Sequence, residues 1–139
     1  MSVLLDTHVL LWFQSLDKRL PAKLRERVEQ SDDDYFVSQV SLWEVAIKTS
    51  IGKLTLDRDL SSTYRMIHAA GFLPLPFREE HFLEVSTLPM HHRDPFDRML
   101  IAQARCENLW LLTSDPHFGN YGVMDKKNGL FETLSPSGQ

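Results

Sequence analysis

Short apolar runs alternate with amphipathic helical stretches along this chain, and that alternation constrains the fold more than any other feature. Residues 3–5, 35–37, 72–76 and 109–112 read as strands. The last run, Leu109-Trp110-Leu111-Leu112, is apolar at every position, as in a strand covered on both faces. Pro74 and Pro76 place the run 72–76 at an edge or a strand end, because proline cannot donate to a ladder. Helical patterns fill residues 7–13, 21–30, 38–51, 60–70, 79–88 and 94–107. Leu24 and Val28 lie four apart in the second of these, with Pro21 in its first turn. Leu100, Ile101 and Ala104 share one face of the last, and Gly52 and Gly71 follow the ends of two others. Residues 130–134 are expected to add a final strand, and 135–139 a loose tail. Strands that alternate with helices imply an α/β domain, a parallel sheet with helices on both faces. The 139 residues are expected to form one such domain, since no linker, repeat or low-complexity stretch divides them.

A 42% hydrophobic and 24% charged composition is that of a chain with a packed core, and it argues against disorder. The one cysteine, Cys106, rules out an internal disulfide and is expected to be a small buried side chain. The amino terminus, Met-Ser-Val-Leu-Leu-Asp, lacks the basic and long apolar regions of a signal peptide, and no apolar run reaches a membrane span. A cytoplasmic protein is expected. The net charge of −4 has the wrong sign for holding nucleic acid by bulk electrostatics. It is compatible with nucleic-acid chemistry if the acids are gathered at a cation, and it suits a basic partner.

In an open parallel sheet the strand carboxyl ends lie along one edge, where ligands bind. Asp6 follows the first strand directly. Asp115 comes just after 109–112, beyond Thr113 and Ser114. Glu44 lies in the early turns of the helix leaving the second strand, and Asp94 and Asp97 open the helix leading into the fourth. The topology sends these distant residues to one edge. Carboxylates so gathered repel, and a hard divalent cation such as Mg²⁺ or Mn²⁺ removes the conflict. Such a site can polarise a phosphate and activate a water, the chemistry of phosphodiester hydrolysis without a nucleophilic Ser or Cys.

Each acid also has a structural reading. Asp6 can cap the first helix. Asp94-Pro95 and Asp115-Pro116 have the form of an N-cap before proline, and Asp97 suits the dipole at a helix start. Ser41 and Glu44 have capping-box spacing. Capping and metal binding are not exclusive.

At these residues the sequence resembles the PIN-domain superfamily, and within it the VapC-type toxins of bacterial toxin–antitoxin pairs. The resemblance is carried by Leu5-Asp6-Thr7-His8-Val9-Leu10-Leu11-Trp12, by Ser41-Leu42-Trp43-Glu44-Val45-Ala46-Ile47-Lys48 with Gly52-Lys53-Leu54, by 92–104 around Asp94 and Asp97, and by Leu111-Leu112-Thr113-Ser114-Asp115. It implies a three-layer α/β/α domain and RNA cleavage dependent on Mg²⁺ or Mn²⁺. It carries the family's acidic roles onto Asp6, Glu44, Asp97 and Asp115, with Asp94 a secondary ligand or helix cap. It also implies a cognate antitoxin whose segment lies in the groove near the acids, and a homodimer. The chain departs from the family pattern after Val123, where 124–129 intervene and the tail is longer.

Around the acids, Lys48 is either an ordinary i, i+4 ion pair with Glu44 or a cation for the scissile phosphate. Arg98 reads either as an RNA or antitoxin contact or as a solvent-facing charge. The hydroxyls of Thr113 and Ser114 could hold a metal-bound water or cap a short helix. Trp12 and Trp43 read as core or dimer interface. His91, His92 and Arg93 read as a polar loop, His8 forms no catalytic dyad, and zinc is unsupported for want of clustered Cys and His. Two other functions fit the same composition: a catalytically silent binding module of this fold, and a phospho-acceptor domain. The second needs a receiving Asp, a hydroxyl and a facing Lys, an arrangement that Glu44 on a helix does not match.

Overall fold

A computed structural model describes residues 2–89, 94–113 and 131–133. The elements run β1 (Ser2–Leu5), α1 (Thr7–Gln14), α2 (Ala22–Gln30), β2 (Asp34–Ser38), α3 (Gln39–Ser50), α4 (Leu60–Ala69), β3 (Leu73–Leu75), α5 (Glu79–Thr87), α6 (Pro95–Glu107), β4 (Trp110–Thr113) and β5 (Phe131–Thr133). The strands form one sheet in the order β3-β2-β1-β4-β5, and every neighbouring pair is parallel. The expected parallel sheet is therefore present. The proline-bearing run is its edge strand β3, and 131–133 supply the opposite edge.

Alternation along the strands feeds two cores. Leu4 and Leu111 face one side, where Val40, Leu88, Leu100, Ile101 and Ala104 pack on them. Val3, Leu5 and Leu112 face the other, against Val9, Leu10, Leu24, Val28 and Ile67. Helices α5 and α6 thus cover one face and α1, α2 and α4 the other, while α3 gives Val40 to the first core and Leu42 to the second. These three layers remove the apolar residues of β1 and β4 from water. Each such side chain contributes about 1.5–3 kcal/mol on burial.

The helix ends differ slightly from the sequence expectation. Ser38, not Ser41, caps α3, its hydroxyl accepting from the Val40 N–H at 2.9 Å. Pro21 stands just before α2 rather than in its first turn. At the far end of α3, Gly52 adopts φ +75°, which permits a Schellman reversal. The Lys53 N–H reaches back to the Lys48 carbonyl at 2.9 Å and the Gly52 N–H to Thr49 at 3.3 Å. The reversal returns Lys53 toward the helix end that carries Lys48.

A buried polar chain fixes α6. The Ser38 hydroxyl donates to Gln103 Oε1, and the Gln103 amide lies 3.3 Å from His81 Nδ1. His81 Nε2 faces Glu107 Oε2 at 2.8 Å. The chain links the α3 cap to α6 and α5, and so sets how α6 is rotated at the sheet.

Candidate active site

The strand order places β1 between β2 and β4, so the chain leaves β1 in one direction and returns to its other side with β4. This topological switch opens a crevice at the carboxyl ends of β1 and β4. The register pairs Leu5 with Leu112, which sets Asp6 and Thr113 side by side at that crevice. Asp6 is 3% exposed. Its N–H donates to the Leu112 carbonyl at 3.0 Å, extending the ladder by one residue. Its Oδ1 accepts from the Val9 N–H at 2.8 Å and so caps α1, while its Oδ2 accepts from the Thr113 hydroxyl. Asp6 therefore caps α1 while also tying that helix start to the carboxyl end of β4.

Glu44 lies in the second turn of α3 and is 2% exposed. Helix α1 packs against α3 and brings Thr7 to it. The Thr7 hydroxyl donates to Glu44 Oε1 at 2.6 Å and lies 2.9 Å from the Ser41 hydroxyl. Lys48 Nζ holds the other oxygen, Oε2, at 2.6 Å. The capping-box reading of Ser41 and Glu44 is thus replaced by a tertiary one: Ser41 and Glu44 both turn toward α1.

Asp94 caps α6, with Oδ1 accepting from Phe96 at 2.8 Å and Asp97 at 3.2 Å. Asp97 sits in the first turn of that helix, half-buried. Both acids act on the Lys48 charge. Lys48 thus sits among Glu44, Asp94 and Asp97, and Asp6 feels Glu44. Asp115 and Ser114 lie outside the described residues, two and one positions beyond Thr113.

The electrostatics follow from burial. Burial pushes the Asp6 carboxyl above its ordinary pKa, and the Glu44 charge adds to the rise; the Thr113 and Val9 hydrogen bonds and His8 oppose it. Burial also works against the Lys48 ammonium, but the Glu44 hydrogen bond and charge, with Asp94 and Asp97 behind them, hold its pKa above the usual value. His8 acts on the Asp6 charge, and Lys48 is paired with Glu44.

Among the described residues no three Asp, Glu, His or Cys side chains converge closely enough to hold an ion by themselves. The donor set still fits a hard cation of the Mg²⁺ kind, which keeps several waters and takes one or two carboxylates. Asp6 and Glu44 are buried carboxylates within electrostatic reach, flanked by hydroxyl oxygens. Residues Thr7, His8, Leu11, Glu44, Lys48 and Lys53 line a cavity of about 230 Å³ beside them.

Other sequence expectations are resolved by packing. The Arg98 guanidinium donates to the carbonyls of Pro89 at 2.9 Å and of Val85 and Leu88 at 3.2 Å, clamping the end of α5. The Thr113 hydroxyl is given to Asp6. Trp43 is 54% exposed and stands edge-on to Phe96, so it is not a core residue. With Phe77, Phe82, Phe96 and Met99 it lines an apolar groove of about 620 Å³. Trp12 is half-buried beneath Arg19, whose guanidinium lies 5.1 Å from the ring centre. Cys106 is half-buried rather than enclosed. His91, His92 and Arg93 lie outside the described residues. Two site residues received no role from sequence, Thr7 and Lys53. Only the docking of α1 on α3 and the reversal at Gly52 bring them to the acids.

A three-layer α/β/α fold with buried acids at the switch point of a parallel sheet defines the class. The PIN domain family model matches residues 3–123, and the chain belongs to that family. No curated protein matches it. Among solved structures it is similar to a chain in VapBC2 of Rickettsia felis bound to a DNA fragment from their promoter, with TM-score 0.69 and 14% identity, covering 97% of this chain and 100% of that one. It is also similar to a domain of a functionally unknown protein of Methanocaldococcus jannaschii, with TM-score 0.57, 20% identity, and 96% and 91% covered.

Proposed function

We propose that this chain is a metal-dependent endoribonuclease, the VapC-type toxin of a toxin–antitoxin pair, acting as a hydrolase on RNA phosphodiester bonds. The observation that carries the reading is Asp6: a buried carboxylate at the switch point, held by Val9 and Thr113 and within reach of the Glu44 charge. Membership of the PIN family supports the nuclease reading, and the motifs around Asp6, Glu44, Asp97 and Asp115 support the toxin subtype.

Asp6, Glu44, Asp97 and Asp115 would hold Mg²⁺ or Mn²⁺, with Asp94 in reserve as the cap that sets Asp97. The ion, when bound, polarises the phosphate and lowers the pKa of a water. The chain does the rest. Thr113 and Val9 aim Asp6, and Thr7 fixes the Glu44 carboxylate. Lys48 and Lys53 line the cavity beside the acids and would neutralise the phosphodiester as it enters. The buried walls of β1 and β4 exclude bulk water, which strengthens each of these interactions.

An antitoxin partner and a homodimer belong to the same proposal. The likeness to the Rickettsia felis chain and the apolar groove at Trp43 and Phe82 support a protein partner. No described helix is long and apolar enough to cross a membrane. A cytoplasmic site of action suits a nuclease of cellular RNA with a single free cysteine.

The test is cleavage of a mixed cellular RNA pool by the purified chain, free of antitoxin, with Mg²⁺ or Mn²⁺ against EDTA. Metal-dependent cutting that Asp6→Ala abolishes while keeping the helical circular dichroism is the expected result. No cutting by folded protein with either metal would replace this reading with the silent binding module.

A further inference from the structure

Glu44 is a charged side chain at 2% exposure, and both of its oxygens are engaged, Oε1 by Thr7 and Oε2 by Lys48. A carboxylate so buried is tolerated only when paired, because an uncompensated charge loses its hydration without return. Lys48 is different in kind. Its side chain keeps 28% of its surface, and its stem is long and flexible. Its ammonium stands where a site cation is wanted, on Glu44 and within the influence of Asp94 and Asp97. It also lines the cavity into which the Gly52 reversal brings Lys53.

We propose that Lys48 is a resident counter-cation: it holds Glu44 in the metal-free protein and yields that carboxylate when a divalent cation binds, which frees its ammonium for the cavity shared with Lys53. This rests on the metal-dependent reading above and adds to it. The ion pair and the metal compete for one buried carboxylate, so the metal-free fold is kept intact at the expense of metal affinity. Release of Lys48 also couples metal loading to phosphate binding, since the ammonium becomes available to an anion only once Glu44 has another partner.

The experiment measures thermal stability in EDTA and Mn²⁺ binding by calorimetry, without RNA, for wild type, Lys48→Met, Lys48→Gln and the double variant Glu44→Gln/Lys48→Met. Lys48→Met is expected to lower the metal-free Tm, and Glu44→Gln in that background to restore it, since no unpaired carboxylate remains. Mn²⁺ is expected to bind Lys48→Met roughly tenfold tighter than wild type, the scale of removing one positive charge from beside the ion at a partly screened site. It is also expected to raise that variant's Tm by more. Lys48→Gln keeps a donor for Glu44 and secures a folded protein in which the affinity gain is still read. An unchanged metal-free Tm in Lys48→Met, or Mn²⁺ affinities equal to or weaker than wild type in both lysine variants, would overturn the exchange. Absence of Mn²⁺ binding in every protein, wild type included, would instead remove the metal-dependent reading on which it rests.

Discussion

The Thr113 hydroxyl donates to the Asp6 carboxylate across 107 residues of sequence, because parallel pairing of β1 with β4 sets the two carboxyl ends level. That contact, with the Val9 N–H, opposes the burial that raises the Asp6 pKa. Thr113→Val keeps the shape and removes the donor. The Asp6 pKa is then expected to rise further, and the acid limb of the RNA-cleavage pH profile to move to higher pH. An unmoved profile would detach Thr113 from the chemistry.

The raised pKa also makes a statement about stability. A carboxyl whose folded pKa lies above its unfolded value contributes stability that is present below the unfolded value and lost as pH rises through the folded one. In EDTA, Asp6→Asn is therefore expected to be more stable than wild type near neutral pH. Asparagine still caps α1, so the helix start is kept. The difference should vanish as pH falls toward 3.8, the ordinary value of the carboxyl. Mn²⁺ should raise the wild-type Tm and not that of the variant. Thermal melts from acid to neutral pH, with and without metal, check both.

Thr7→Val removes the donor to Glu44 Oε1 in a buried setting. A stability loss of about 1–3 kcal/mol is expected, together with a fall in kcat larger than any rise in KM. Chemical denaturation and steady-state cleavage measure the two effects.

Asp94 separates capping from ligation. Asp94→Ala loses the acceptor for the Phe96 and Asp97 N–H groups and should cost about 0.5–2 kcal/mol. Asp94→Asn keeps the cap and should recover that stability. Cleavage that recovers with it assigns Asp94 to positioning Asp97, whereas cleavage that stays low assigns it to the metal.

Arg98→Lys replaces a fork that reaches three carbonyls with a single point of donation. About 1 kcal/mol of stability should be lost, the scale of a net hydrogen bond, with RNA affinity unchanged. A weaker affinity in a filter-binding titration would return Arg98 to the RNA surface.

Much of this protein is readable along the chain. The apolar runs of β1 and β4 announce buried strands, Pro74 announces the edge position of β3, and Asp94-Pro95 announces the start of α6. Asp6 at a strand end and Glu44 in a mostly apolar stretch of helix are visible as candidates for the same reason: a charge in an apolar context needs a partner. The 124–129 departure obscures the last strand, yet 131–133 pair with β4 in parallel. Arg98 and Trp43 were less legible. Whether an arginine meets phosphate or a helix end, and whether a tryptophan is covered, depends on which element packs alongside.

Hydrophobic period and capping chemistry are local properties, so the strand–helix alternation and the position of Asp6 at a strand end are written in the chain itself. Tertiary structure alone decided the partners of those acids. The level ends of β1 and β4 give Thr113 to Asp6, the packing of α1 on α3 gives Thr7 to Glu44, and the reversal at Gly52 brings Lys53 to the cavity lined by Lys48. Such contacts join residues far apart in the chain and depend on the register and docking of whole elements, so no local pattern encodes them.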